Sequence, residues 1–180
     1  QLSNSFSIDG DLVTLSENFN KEQKLSPFQN TGVFVEGKVF TAKTIPNYDG
    51  ERKILGDILQ NGEVTKDFYI PEADLPKWVY LKGAKKETRT AKNGYEYKYS
   101  EGGMIFPDSL DKASRTIITG EGGKSPSRFK HVVQTKKGLR RLTPVELERL
   151  NMFPDNHSQM AGISDTKRAF FMGNALVVGI

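Results

Sequence analysis

The sequence predicts a mixed α/β fold of the α+β kind, a small loop-rich domain of short strands followed by helices. Two observations carry this. Up to about residue 138, β-branched and aromatic runs are broken by two-residue turn signals. From Leu139 onward the texture changes to a helix start with its own capping residues.

The elements follow in order. GVFVEGKVFTAKTI sets Glu36-Gly37 between two strand-like runs and predicts a hairpin. GERKILGDILQNG carries Ile54, Leu55, Ile58 and Leu59 at helical spacing and stops at Asn61-Gly62. LPKWVYL reads as another short strand. NGYEYKY follows the turn signal Asn93-Gly94, with Tyr95, Tyr97 and Tyr99 on one face of an alternating strand. In LRRLTPVELERLNMFPDNH, Thr143 is an N-cap, Pro144 suits the first helical position and Glu146 completes a capping box, which predicts a helix from Pro144 to about Asn151. Val145, Leu150 and Phe153 have the spacing of its buried stripe.

Composition bounds the function. A chain of 180 residues is about one domain, or one and a piece of another. With 36% apolar residues, including eleven Phe, six Tyr and one Trp, it can bury a core. No window approaches the roughly eighteen apolar residues of a membrane span, and QLSNSFSIDG lacks the features of a signal peptide, so a cytoplasmic protein is expected. The absence of cysteine excludes disulfides, thiolate metal sites and a cysteine nucleophile within this chain. His131 and His157, isolated from any carboxylate cluster, lack metal-ligand spacing and read as surface or hydrogen-bonding residues. Glu146 and Glu148, two apart on a helix, point to different faces and do not form an acid pair.

Charge is concentrated. Lys112 to Arg141 holds nine Lys and Arg against one acid, Glu121, in a chain of net charge +4. Such a segment is the footprint of a polyanion binder or a solvated basic face. Within SRTIITGEGGKSPSRFKHV, hydroxyls, glycines and cations suit phosphate contact, since glycine lets main-chain N–H groups approach closely. A second basic stretch, Lys82 to Lys98, has six Lys and Arg against two Glu. Its tyrosines either line a second wall for a nucleic acid or cover a small core.

RRLTPVELERLNMFPDNH, followed about twenty residues on by MGNALVVGI, resembles the last two conserved blocks of the DNA cytosine-5 methyltransferases. SRTIITGEGG is similar to the segment closing the target-recognition domain of the bacterial modification enzymes in that family. GVFVEGKVFTAKTIPNY and ERKILGDIL also resemble certain bacterial members. Residues 112–180 carry the most specific likeness.

The resemblance implies a target-recognition domain over 1–138 and a segment, 139–180, whose helices return to a Rossmann-like catalytic domain absent from this chain. The family's Pro-Cys loop, Glu-Asn-Val block and Phe-x-Gly-x-Gly cofactor loop are not found here. Both ends look cut, as in a fragment or one subunit of a split enzyme paired with an alpha-type catalytic subunit. In the complete family enzyme a cytosine is flipped from double-stranded DNA, a Cys adds to C6, and S-adenosylmethionine supplies the methyl group to C5. This chain alone is therefore expected to be inactive and to hold the duplex. The implied DNA contacts are Arg115, Thr116, Thr119, Gly122, Gly123, Lys124, Ser125, Arg128, Lys130 and His131, with Arg128 favoured as base reader and Arg115 as phosphate clamp. Asn174, Ala175 and Leu176 are the implied cofactor-side residues, with GNA as a tight turn into an apolar helix. A restriction-modification setting follows from the bacterial members. A non-catalytic DNA-binding module and an RNA-binding module stacking bases on the tyrosines are the alternatives.

Overall fold

A computed structural model describes residues 3–18 and 27–178. The chain divides into two compact units, the first ending at Glu51 and the second starting at Arg52.

The first unit is an antiparallel sheet of β1 (Ser3–Ser7), β2 (Thr31–Val35) and β3 (Lys38–Ala42) in the order β1-β3-β2, with helix α1 (Leu12–Asn18) between β1 and β2. The Glu36-Gly37 hairpin forms as its sequence predicts. Both turn residues take positive φ, 48° and 77°, the geometry whose twist matches a two-residue hairpin. The pairing Val35↔Lys38 puts Phe6, Val39 and Phe34 on one face, where Val39 is buried and Phe6 meets Phe28 edge-on at 5.2 Å. Asp11 caps α1, its carboxylate accepting from the N–H groups of Val13 and Thr14.

The second unit holds α2 (Leu75–Lys82), the hairpin β4–β5 (Lys85–Thr90 and Glu96–Glu101), the hairpin β6–β7 (Val132–Thr135 and Gly138–Arg141), α3 (Pro144–Leu150) and α4 (Asp165–Asn174). Its core is Leu55, Ile58, Val133, Leu142, Leu147, Ala169 and Met172. Burying each of the Val, Leu, Ile and Met side chains among them contributes about 1.5–3 kcal/mol relative to leaving it exposed, and the Ala169 methyl less. The core draws on both sides of residue 138, with Leu55, Ile58 and Val133 before it and Leu142, Leu147, Ala169 and Met172 after it, inside one compact unit.

Helix α3 starts and ends as predicted. The Thr143 side chain accepts from the Glu146 N–H, and the Glu146 carboxylate accepts from the Thr143 N–H at 2.8 Å. Two other elements differ from expectation. ILGDIL forms only a single 3-10 turn, Leu55–Ile58, because the Leu55 and Gly56 N–H groups donate across to the Lys112 and Leu110 carbonyls instead of continuing a helix. LPKWVYL is helical, not a strand: Pro76 sits in the first turn, Gly83 follows the end, and Trp78 and Lys82, four apart, share the buried face. Tertiary burial overrides the β-leaning composition of Trp-Val-Tyr. GNA also differs from its sequence reading. Gly173 and Asn174 close α4 instead of opening a helix. No helix among the described residues is long and apolar enough to cross a membrane.

Candidate nucleic-acid interface

The basic segment is a long loop between the short turns near Asp108 and strand β6, and its acid organises it. Glu121 and His131 are both fully enclosed, with His131 Nδ1 2.8 Å from Glu121 Oε1 and the His131 N–H donating to Oε2 at 3.0 Å. Nε2 of the same ring meets Ser114 Oγ at 3.1 Å. This ties residues 114, 121 and 131 together, and burial gives His131 work inside the chain instead of the phosphate contact expected for it.

Arg115 forms a second clasp. Its Nε pairs with Asp108 Oδ1 at 2.7 Å, and its terminal nitrogens donate to the Phe129 and Lys130 carbonyls. Asp108 also accepts from the Val132 N–H at 2.8 Å. Burial alone would raise the Asp108 carboxyl, but the hydrogen bonds from Arg115 and Val132 hold it below its ordinary value.

Arg128, the first choice for reading a base, is engaged with its own chain. It donates to the carbonyls of Leu81, Gly83 and Gly102 and pairs with Glu101 at 3.2 Å, joining the end of α2 to the base of the β4–β5 hairpin. Lys130 is buried and donates to the Gly123 and Ser125 carbonyls. Lys82, counted with the second basic stretch, is also buried. It donates to the Lys130 carbonyl, and burial pushes its ammonium down to about 8. Gly122 is needed for packing, since a Cβ there would lie 2.8 Å from Thr166 Cα and 2.9 Å from Ala169 Cβ on α4. Gly123 lies over Lys130, whose Nζ would be 3.1 Å from an added Cβ.

The remaining groups face solvent. Thr116, Thr119, Gly120, Lys124 and Ser125 are exposed, and Lys124 pairs with Asp67 at 3.0 Å with both side chains largely open to water. The β4–β5 hairpin forms with Asn93-Gly94 at its tip, and its two faces differ. Lys86, Thr88, Thr90, Glu96, Lys98 and Ser100 share one face that is exposed throughout. The opposite face carries Lys85, Glu87, Arg89, Tyr97 and Tyr99. There Arg89 stacks 3.4 Å over the Tyr99 ring and Lys85 pairs with Glu101. Tyr95, outside the strand, is exposed.

The cofactor-side residues lie at the end of α4. The Asn174 side chain donates back to the Phe170 carbonyl, and Leu176 is 86% exposed. Gly173 is required for close approach: a Cβ would fall 2.5 Å from the Thr119 backbone. Ala175 and Leu176 line a cleft of about 670 Å³ together with Ser114, Arg115 and Thr116, so the expected cofactor-side and DNA-side segments meet there. Its wall is mostly aliphatic, with Ile54, Ile117 and Met152, and suits one side of an apolar or aromatic group.

Helix α3 is architectural. Arg140 makes a buried two-point pair with Glu146 at 2.7 and 2.6 Å, and Arg168 pairs with Glu148 at 2.9 Å. The two glutamates thus serve separate partners, as their spacing predicts. Burial alone would raise the Glu148 carboxyl, yet hydrogen bonds from Ser158 and Arg168 hold it below its ordinary value. His157 stacks on Phe153 at 4.7 Å, and no metal-ligating cluster occurs among the described residues. Arg141, expected from the sequence to orient the recognition domain together with Glu146, holds the carbonyls of Gly122, Gly123 and Asp67, whereas Asp108 and Asp67 were missed by the sequence reading. No local motif marks them.

Comparisons with known proteins bear on this arrangement. Residues 12–180 match the C-5 cytosine-specific DNA methylase family. Over 171 residues the chain is 41% identical to the type II methyltransferase M.Sau3AI of Staphylococcus aureus, covering 95% of this chain and 39% of that protein. It thus spans about two fifths of that relative's length. Among solved structures, the Entamoeba histolytica methyltransferase EhMeth aligns with a TM-score of 0.50 at 17% identity, over 78% of this chain and 43% of that one. The S. pombe Dnmt2 methyltransferase aligns at 0.47 and 15%, over 78% and 46%. With nearly its whole length matched to one family model and 41% identity to a relative over 95% of the chain, the chain belongs to the C-5 cytosine-specific DNA methylases.

Proposed function

We propose that this chain is the target-recognition and duplex-holding part of a C-5 cytosine DNA methyltransferase of the bacterial restriction-modification type, working in the cytoplasm. The chemistry is completed by a catalytic portion, either elsewhere in a longer polypeptide or on a separate alpha-type subunit. With no cysteine in its sequence, the chain supplies no thiolate to attack C6, so alone it is inactive. S-adenosylmethionine supplies the methyl group. Asn174, Ala175 and Leu176 form one wall near it, and most of its pocket belongs to the catalytic portion.

The observation that carries this reading is the basic loop. Its anchors, Arg115, Arg128, Lys130 and His131, are engaged with the chain, while Thr116, Thr119, Lys124 and Ser125 remain open to solvent. A firmly anchored surface of hydroxyl donors with the Lys124 ammonium is what base extrusion demands. Taking a cytosine out of the stack costs a few kcal/mol, and the flanking duplex must be held meanwhile. Arg115 and Arg128 act on DNA through the loop they hold, with Gly122 and Gly123 fixing its path. The exposed face of the β4–β5 hairpin, with Lys86 and Lys98, adds a second set of phosphate contacts. Residues 1–138 are assigned to recognition and 139–180 to the return toward the catalytic portion.

The test is binding of the chain to labelled duplex DNA, single-stranded DNA and RNA of matched length at one salt concentration, beside an Arg115→Ala/Arg128→Ala variant. Preference for duplex, weakened in the variant, is expected. Preference for single strands or RNA would contradict the reading.

A further inference from the structure

Two cations lie beneath the loop Gly122–Ser125 with no carboxylate at ion-pair distance among the described residues. Lys130 and Arg141 are 6% and 4% exposed. Lys130 Nζ donates to the Gly123 and Ser125 carbonyls at 2.8 and 2.7 Å. Arg141 donates to the Gly122 and Gly123 carbonyls at 3.0 and 3.3 Å, and to the Asp67 carbonyl at 2.7 Å. The nearby acid, Glu121, has both carboxylate oxygens on His131. Burial disfavours both charges and holds both groups below their ordinary values, with each other's proximity adding to the effect on Lys130. Burying a charge without a counter-charge is costly, so two together call for a reason.

The loop supplies one. Three of its carbonyls are gathered onto the two cations. Among the described residues, the amides of Lys124 and Ser125 donate to no group of the chain, and both residues are exposed. Free main-chain N–H groups in an exposed bend, with positive charge behind them, can take an anion as their acceptor. Gly122 braces the loop against α4, and Gly123 leaves room for the Lys130 ammonium. The exposed Lys124 ammonium is held by the Asp67 carboxylate at 3.0 Å.

We propose that Lys130 and Arg141 are positioning residues that shape Gly122–Ser125 into a cradle for one DNA phosphodiester, with Asp67 occupying Lys124 until the phosphate displaces it. This rests on the duplex-holding reading above and names one of its sites. Asp67 competes with the phosphate for the same ammonium. Its removal therefore strengthens DNA binding, the opposite of what loss of a merely structural ion pair would do.

The experiment uses the full chain and a fluorescent mixed-sequence duplex across a salt series, with amide shifts followed on ¹⁵N-labelled protein. Asp67→Asn is expected to tighten binding by about two- to fivefold at low salt, the range of an exposed pair. Lys124→Ala is expected to lower the salt slope by about one phosphate. The Lys124 and Ser125 amides should shift on adding duplex in the wild type and in Lys130→Arg, and not in Lys130→Met. Asp67→Asn and Lys124→Ala lie on the surface, so they report even where Lys130→Met fails to fold. Duplex binding by the wild type with unmoved Lys124 and Ser125 amides and no gain in Asp67→Asn would overturn the cradle and leave the DNA reading standing. No duplex binding at all would remove both.

Discussion

Single residues in this chain are specified mainly by what they hold. Glu146 is the clearest, since it accepts from Arg140, from the Thr143 N–H and from the Gln60 N–H while fully buried. Glu146→Ala would leave a buried guanidinium without its partner and should cost about 3–5 kcal/mol, read as a fall in the denaturant midpoint. The Asp108–Arg115 clasp makes a pH-dependent contribution. The folded Asp108 carboxyl titrates below its ordinary 3.8, so the stabilisation is fully present above that pH and is lost as pH falls through the lower folded value. The stability advantage of wild type over Asp108→Asn should therefore be largest near neutral pH and shrink on acidification below 3.8, measured by urea unfolding at a series of pH values. Of these roles only the Glu146 cap on the Thr143 N–H could be read locally. Arg115 and Arg128 look like DNA contacts in sequence because the carbonyls they hold lie fourteen to forty-seven residues away.

At the scale of elements, the legible parts were those fixed by neighbouring residues. Glu36-Gly37, Asn93-Gly94 and the Thr143–Glu146 box each define their geometry within four residues, and each element forms where the sequence places it. Helix α2 was misread because Trp78, Val79 and Tyr80 favour strands by composition, and only the burial of Trp78 with Lys82 reveals its period. The approach of α4 to the basic loop depends on two glycines, Gly122 and Gly173, whose need is invisible in sequence. At Gly173 an added Cβ would strike the Thr119 backbone at 2.5 Å, which cannot swing aside as a side chain would. Gly173→Ala should destabilise by about 1–3 kcal/mol through overpacking, seen as a lower melting temperature. Gly62→Ala, where an added Cβ meets nothing within 4 Å, is the control.

For the molecule as a whole, family membership and fold were legible because the two C-terminal blocks and the segment before them keep their order and spacing. The partition of charge was legible too, but its use was not: the sequence offers nine cations between Lys112 and Arg141, and the structure turns Arg115, Arg128, Lys130, Arg140 and Arg141 inward onto carbonyls and carboxylates. The surface left for a polyanion is smaller and more sharply defined than the charge count suggests. The measurement that tests duplex holding most directly is the salt dependence of this chain's affinity for double-stranded DNA. Engagement of several phosphates predicts a log–log slope of about −0.9 for each one neutralised, hence a steep loss of affinity between low and physiological salt. A flat dependence, or no duplex binding at low salt, would contradict it.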